Sequence, residues 1–92
     1  MKLSIELTKP FSDAVGKHKL ELAFGGGDFE DLVAHLVGLY PKLKDEFYTE
    51  DGEMSYYMVA FVNGKSISTL EGMKTELKED DNIVFLVPIS GG

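Results

Sequence analysis

The chain has 92 residues, which is enough for one small domain with a single hydrophobic core. Sixteen acidic residues stand against nine lysines and no arginine, and the formal charge of −7 argues against nucleic-acid binding. Cysteine is absent, which excludes disulfides, thiolate zinc sites and a cysteine nucleophile. No apolar stretch approaches the roughly 20 residues of a membrane helix, and the alternating N-terminal residues do not form a secretory signal. We therefore expect a cytoplasmic protein without a membrane partner.

The first half of the chain predicts a β-hairpin followed by one amphipathic helix. Apolar and polar residues alternate over residues 2–7, as in a half-buried strand, and again over residues 19–22 after a turn-rich stretch at residues 8–17. Asp28 follows three glycines and is a candidate N-cap for the helix. The helix should end at Pro41 and bury one apolar stripe: Phe29, Leu32, Val33, Leu36, Val37 and Tyr40.

The second half predicts three further strands. Residues 41–55 are charged and loop-like, and residues 57–62 then return to strand composition. Asn63-Gly64 is a strong hairpin turn, so we expect a short strand at residues 66–67. A compact connection, with a helical turn expected at residues 75–77, leads to a last strand that begins at Ile83.

This order of elements indicates an α+β protein with a β-grasp, ubiquitin-like layout. We expect a mixed sheet of four to five strands, covered on one face by one main helix. The helical crossover between the two halves allows the first and last strands to pair in parallel at the centre of the sheet.

The end of the chain, Ser90-Gly91-Gly92, directly follows the apolar last strand. Glycine lacks a Cβ, so two in succession can enter a channel too narrow for side chains. The carboxylate of Gly92 is therefore the candidate reactive group, and a frayed terminus is the alternative interpretation. We expect a single β-grasp domain at residues 1–88 and a flexible diglycine tail at residues 89–92.

Four segments resemble the small subunit of molybdopterin synthase. Three of them, residues 62–65, 77–83 and 84–92, span the hairpin turn, the acidic turn and the last strand with its diglycine end. The fourth, Leu-Tyr-Pro-Lys-Leu at residues 39–43, is similar to the helix end in that family and in the related archaeal ubiquitin-like modifiers. The wider kin are the thiamine-pathway sulfur carriers and ubiquitin.

This resemblance implies chemistry at Gly92. An E1-like adenylating enzyme would use ATP and Mg²⁺ to convert the carboxylate into an acyl-adenylate, which is then thiolated, with Gly91 giving a slim approach. The chain would be a co-substrate rather than an enzyme and would bind no cofactor itself. The implied partner is the large subunit of molybdopterin synthase. Conjugation to target-protein lysines, sulfur delivery for tRNA thiolation and a passive interaction module are the alternatives.

Alternation along the last strand predicts a docking face on the sheet. If Ile83 and Phe85 point toward the helix, Val84 and Leu86 face outward. By resemblance to ubiquitin, Phe61 lies beside them. A contiguous apolar patch marks a partner site, whereas scattered apolar residues would not. The candidate partner-binding residues are Phe61, Val84, Leu86, Pro88, Ile89 and Ser90.

Three other groups of residues favour structural roles. The glycine run at residues 25–27 lacks the Gly-Lys-Ser/Thr ending of a phosphate loop and predicts a turn. The carboxylates at residues 28–31 suit helix capping better than a metal site. His18 and His35 stand far apart with no nucleophile signature nearby, so we expect no catalytic role for them.

Overall fold

The computed structural model describes residues 1–53 and 59–86. Its strands are β1 (Lys2–Leu7), β2 (Lys19–Ala23), β3 (Val59–Val62), β4 (Lys65–Ser66) and β5 (Asn82–Leu86). Its helices are α1 (Phe11–Val15), α2 (Phe29–Leu39) and α3 (Lys44–Phe47), with 3-10 turns at Pro41–Leu43, Ile67–Thr69 and Gly72–Lys74. The five strands form one mixed sheet in the order β2-β1-β5-β3-β4, which confirms the predicted α+β class.

The two central strands, β1 and β5, pair in parallel as predicted. Ile5 lies opposite Ile83 and Leu7 lies opposite Phe85, and these four side chains are buried on the helix side of the sheet. The other strand pairs are antiparallel: β1 with β2, β3 with β5, and β3 with β4. The chain segments most distant in sequence therefore form the middle of the fold.

Helix α2 carries the apolar stripe that the sequence predicts, and it begins with a reciprocal capping box. The Asp28 carboxylate accepts a hydrogen bond from the Asp31 N–H at 2.9 Å, and the Asp31 carboxylate accepts one from the Asp28 N–H at 3.1 Å. Gly27 precedes the cap at φ +133°, where a Cβ would overlap the Asp31 carboxylate. The helix start thus depends on a glycine as well as on two acidic residues.

Backbone hydrogen bonds join this helix start to the segment that precedes β5. The Phe29 N–H donates to the Thr75 carbonyl at 2.8 Å, and the Leu77 N–H donates to the Gly27 carbonyl at 3.1 Å. The first bond satisfies an N–H group of the first helical turn that has no partner within the helix. The orientation of α2 over the sheet is consequently fixed by a distant part of the chain.

The prediction of a helical turn at residues 75–77 is wrong. The turn instead lies at Gly72–Lys74, and the Thr75 hydroxyl donates to the Gly72 carbonyl at 2.7 Å where the turn ends. Glu76 then forms an isolated antiparallel bridge with Asp28. At this place a backbone pairing with a distant segment replaces the predicted helical turn, and the local sequence does not reveal that pairing.

Two stretches predicted as turns or loop contain short helices. Residues 8–17 hold α1, whose Phe11 is buried, and residues 41–55 hold a 3-10 turn and α3, whose Leu43 and Phe47 are fully buried. Each helix is too short to show an amphipathic period. Charged residues adjacent in the sequence also make the buried apolar residues look like part of a polar loop. Packing against the core stabilises these helices where local propensity is weak.

The strand boundaries differ slightly from the prediction. Strand β3 begins at Val59, and the predicted residues 57–58 lie outside the described residues. Strand β4 starts one residue earlier than expected, at Lys65. Strand β5 starts at Asn82, and residues 87–89 of the predicted strand lie outside the described part of the chain.

Four phenylalanines form the centre of the core at one end of the sheet. The ring centroids of Phe47 and Phe85 are 5.2 Å apart, those of Phe11 and Phe47 are 5.1 Å apart, and those of Phe29 and Phe85 are 5.6 Å apart. These rings belong to residues of α1, α2, α3 and β5. They hold the Phe85 side chain on the helix side, so the neighbouring side chains of β5 must face outward.

Candidate functional site

The outer face of the sheet carries an apolar strip on two of its strands, β3 and β5. Phe61 pairs with Val84, and Val59 pairs with Leu86 in the next row toward the end of β5. All four side chains are half-buried, although no helix within residues 1–53 and 59–86 covers this face. The structure therefore brings together three of the predicted partner-binding residues. We call Val59, Phe61, Val84 and Leu86 the apolar strip.

Val59 is the member of the apolar strip that the sequence analysis missed. It lies two positions before Phe61 on the same strand, so its side chain points to the same face. The period of two was available in the sequence. The pairing with Leu86, which makes Val59 part of one surface, depends on the register between β3 and β5.

The other half of this face, on β1 and β2, is charged. The Lys2 ammonium lies 3.3 Å from the Glu21 carboxylate, and the Lys19 ammonium lies 3.5 Å from the Glu6 carboxylate. Exposed pairs of this kind contribute little to stability but keep an open sheet face soluble. The outer face is thus divided into an apolar half and a charged half.

Hydrogen bonds fix strand β5 at both of its ends. At the end near the tail, the Thr8 N–H and hydroxyl both donate to the Phe85 carbonyl, at 3.2 and 3.1 Å. At the other end, the buried Asp81 carboxylate accepts from the Asn63 side-chain amide and from the Lys78 N–H, both at 2.8 Å. The Val84 and Leu86 part of the apolar strip therefore lies on a strand that is held at both ends rather than on a loop.

The predicted residues Pro88, Ile89, Ser90, Gly91 and Gly92 lie outside the described residues. Covalent geometry nevertheless limits their distance from the apolar strip. Gly92 comes six positions after Leu86, and an extended chain spans at most about 3.6 Å per residue. The Gly92 carboxylate therefore lies within about 22 Å of the strip, whatever path the tail takes.

The acidic residues at the start of α2 have a structural role. The pKa of Asp28 is lowered, mainly because its carboxylate accepts a hydrogen bond from the backbone N–H of Asp31.

His35 packs near Phe24, with ring centroids 5.7 Å apart, and His18 is exposed. Among the described residues, no group of three side chains is placed to hold a metal ion. Within the same residues, every helix is too short or too polar to cross a membrane.

Comparison with known proteins now identifies the family. The model described as "ThiS family" matches residues 6–92, from within β1 to the diglycine end. The chain belongs to the ThiS family. This result confirms the resemblance found in the sequence at the level of the family.

Individual relatives of this ThiS-family chain are similar over most of its length. A protein of Archaeoglobus fulgidus named "Putative sulfur carrier protein" is 28% identical over 85 residues, which cover 83% of this chain and 97% of that one. Small archaeal modifier protein 3 of Haloferax volcanii is 28% identical over 97 aligned positions that cover both chains completely.

A solved structure confirms the ubiquitin-like β-grasp fold. The solution structure of small archaeal modifier protein 1 from Methanosarcina acetivorans superposes with a TM-score of 0.83 at 29% identity. The alignment covers 99% of this chain and 96% of that one. The ThiS-family chain therefore shares its fold with a protein named as a small archaeal modifier.

Proposed function

We propose that this ThiS-family protein is a sulfur carrier whose Gly92 carboxylate is adenylated by an E1-like enzyme and converted to a thiocarboxylate. The observation that carries the proposal is the family match, which extends through Gly91 and Gly92. The name of the relative from Archaeoglobus fulgidus points to the same role. The protein acts as a co-substrate, so its own side chains supply no acid, base or nucleophile.

The proposed reaction at Gly92 needs three steps. A carboxylate oxygen first attacks the α-phosphorus of ATP and releases pyrophosphate, with Mg²⁺ and ATP bound by the adenylating enzyme. A partner persulfide then attacks the carbonyl and expels AMP, which is a far better leaving group than oxide. A second thiol cleaves the resulting disulfide and leaves the thiocarboxylate on Gly92. A chain without cysteine thereby carries sulfur.

The apolar strip is the proposed docking surface for the adenylating enzyme. Apolar side chains at the centre of an interface exclude water, and aromatic anchors such as Phe61 often dominate binding. Docking at the strip requires the active site of the enzyme to lie within the reach of about 22 Å that the tail allows. Pro88, Ile89 and Ser90 are proposed to contact the channel that receives Gly91 and Gly92.

For the sulfur acceptor, we propose the pterin precursor of the molybdenum or tungsten cofactor. In this role the tail inserts into a larger catalytic subunit of molybdopterin synthase, which supplies the acid and base groups. The support for this acceptor is the sequence resemblance at residues 77–92. Sulfur delivery to tRNA by the same thiocarboxylate is the alternative acceptor.

A second candidate function is protein modification. Its support is the likeness to two proteins named small archaeal modifiers, one over the full length of both chains. In this function a target lysine amine, instead of sulfur, attacks the adenylated or enzyme-bound Gly92 carbonyl. Both functions require the same activation.

The first test is the intact mass of the untagged protein after incubation with lysate of its own organism, ATP and a sulfur source. We expect the mass gain of one sulfur replacing one oxygen, and a control chain that lacks Gly91 and Gly92 should show none. If the mass stays unchanged in a lysate that thiolates another carrier, the passive interaction module is the better description.

A second test separates the carrier from the modifier. The last lysine is Lys78, so trypsin would leave residues 79–92 on a modified lysine. Mass spectrometry can search for this branched remnant directly, which leaves the tail residues proposed to contact the enzyme unchanged. Remnants on lysines of other proteins would support the modifier, whereas thiocarboxylate without remnants would support the carrier alone.

A further inference from the structure

One row of paired residues crosses the whole outer face of the sheet. In strand order from β2 to β4, the row consists of Lys19, Glu6, Val84, Phe61 and Ser66. It runs from a cation through a carboxylate to one of the two residue pairs of the apolar strip, Val84 and Phe61. The boundary between the charged and apolar halves of the face therefore falls between Glu6 and Val84.

Among the described residues, Glu6 is the acidic or basic side chain that strand pairing places directly beside the apolar strip. Its side chain is 39% exposed, whereas that of its partner Lys19 is 78% exposed. In the neighbouring row, Glu21 also forms an ion pair with a lysine, Lys2, but Ser4 lies between Glu21 and β5. Glu6 is thus the carboxylate that a protein docked on the strip would cover first.

We infer that Glu6 selects a partner that carries a lysine or arginine beside the apolar group docked on Phe61 and Val84. A partner that covers Val84 removes water from Glu6, and a desolvated carboxylate is costly unless a cation faces it. Lys19 lies on the outer side of Glu6 and holds it through one exposed ion pair. The approaching cation binds Glu6 from the side of the strip.

The same carboxylate rejects other partners. An acidic or purely apolar surface over Glu6 would meet repulsion or leave the charge without water, and both effects oppose binding. The formal charge of −7 acts in the same direction at longer range, because it attracts basic surfaces. This inference rests on the proposed docking surface and adds the chemistry of the partner to it.

The test measures the affinity of the full chain for the adenylating enzyme of the same organism in about 0.1 M and about 1 M salt. We expect Glu6→Gln to weaken binding about 2–5-fold at the lower salt and less at the higher salt, as for a partly exposed ion pair. The matched control Glu21→Gln should leave the affinity unchanged. Equal effects of the two variants, or an effect of Glu6→Gln that salt does not change, would overturn the inference.

A third variant, Phe61→Ser, separates this inference from the docking proposal. If Phe61→Ser abolishes binding and Glu6→Gln matches Glu21→Gln, the docking surface stands and the role of Glu6 is refuted. If the folded Phe61→Ser variant binds normally, the docking surface itself is refuted and the inference fails with it. Circular dichroism establishes that each variant is folded before its affinity is measured.

Discussion

At the scale of single residues, position 27 requires a glycine, whereas position 25, two residues earlier, does not. Gly27 has a φ of +133° and lies against the Asp31 carboxylate, whereas a Cβ at Gly25 would meet open space. We expect Gly27→Ala to lower the free energy of unfolding by about 1–3 kcal/mol through backbone strain and a displaced cap. Gly25→Ala should change it by less than about 0.5 kcal/mol. Urea denaturation of both variants tests this difference, and equal midpoints would contradict it.

Asp28 links the same helix start to pH. Its pKa is lowered in the folded protein from an ordinary value of 3.8, so folding favours the ionised carboxylate. The stabilisation is complete above the unfolded-state pKa and is lost as pH falls through the lower folded-state pKa. Asp28→Asn retains a capping oxygen but cannot titrate. We therefore expect the urea midpoint of the wild type to fall relative to that of Asp28→Asn below about pH 4. A difference that stays constant with pH would contradict this role.

At the scale of elements, the short helix α3 stabilises the fold out of proportion to its length. Phe47 is fully buried against Phe11 and Phe85, and it anchors a segment whose other residues are largely charged. We expect Phe47→Ala to lower the free energy of unfolding by about 3–5 kcal/mol, because it leaves a large cavity. Asp45→Ala, at an exposed position of the same helix, should change it by less than about 0.5 kcal/mol. Thermal and urea unfolding compare the two variants, and similar losses would show that α3 does not anchor the core.

At the scale of the whole molecule, stability and function should reside in different parts of the chain. The described core lies within residues 3–85, and the proposed chemistry lies at Gly92. We expect a chain truncated after Pro88 to keep the melting temperature of the full chain and to lose thiolation completely. Differential scanning calorimetry and intact mass measure the two properties on the same sample. A substantial drop in melting temperature would show that residues 89–92 belong to the domain instead of forming the predicted tail.

The sequence by itself determined the class of fold, the main helix and the alternation of side chains along the last strand. A period of two places Ile83 and Phe85 on one face and Val84 and Leu86 on the other, and the structure confirms the expectation that the first pair is buried. The diglycine end was equally visible, because its chemistry depends on residue type rather than on packing.

Only the tertiary structure decided the features that depend on contacts between distant segments. Helices α1 and α3 form because Phe11 and Phe47 meet Phe85 in the core, and neither helix is long enough to show a period. The row that places Glu6 beside Val84 depends on the parallel register of β1 and β5, which are separated by most of the chain. Local sequence specifies which face a side chain occupies, but long-range pairing decides which side chains become neighbours on that face.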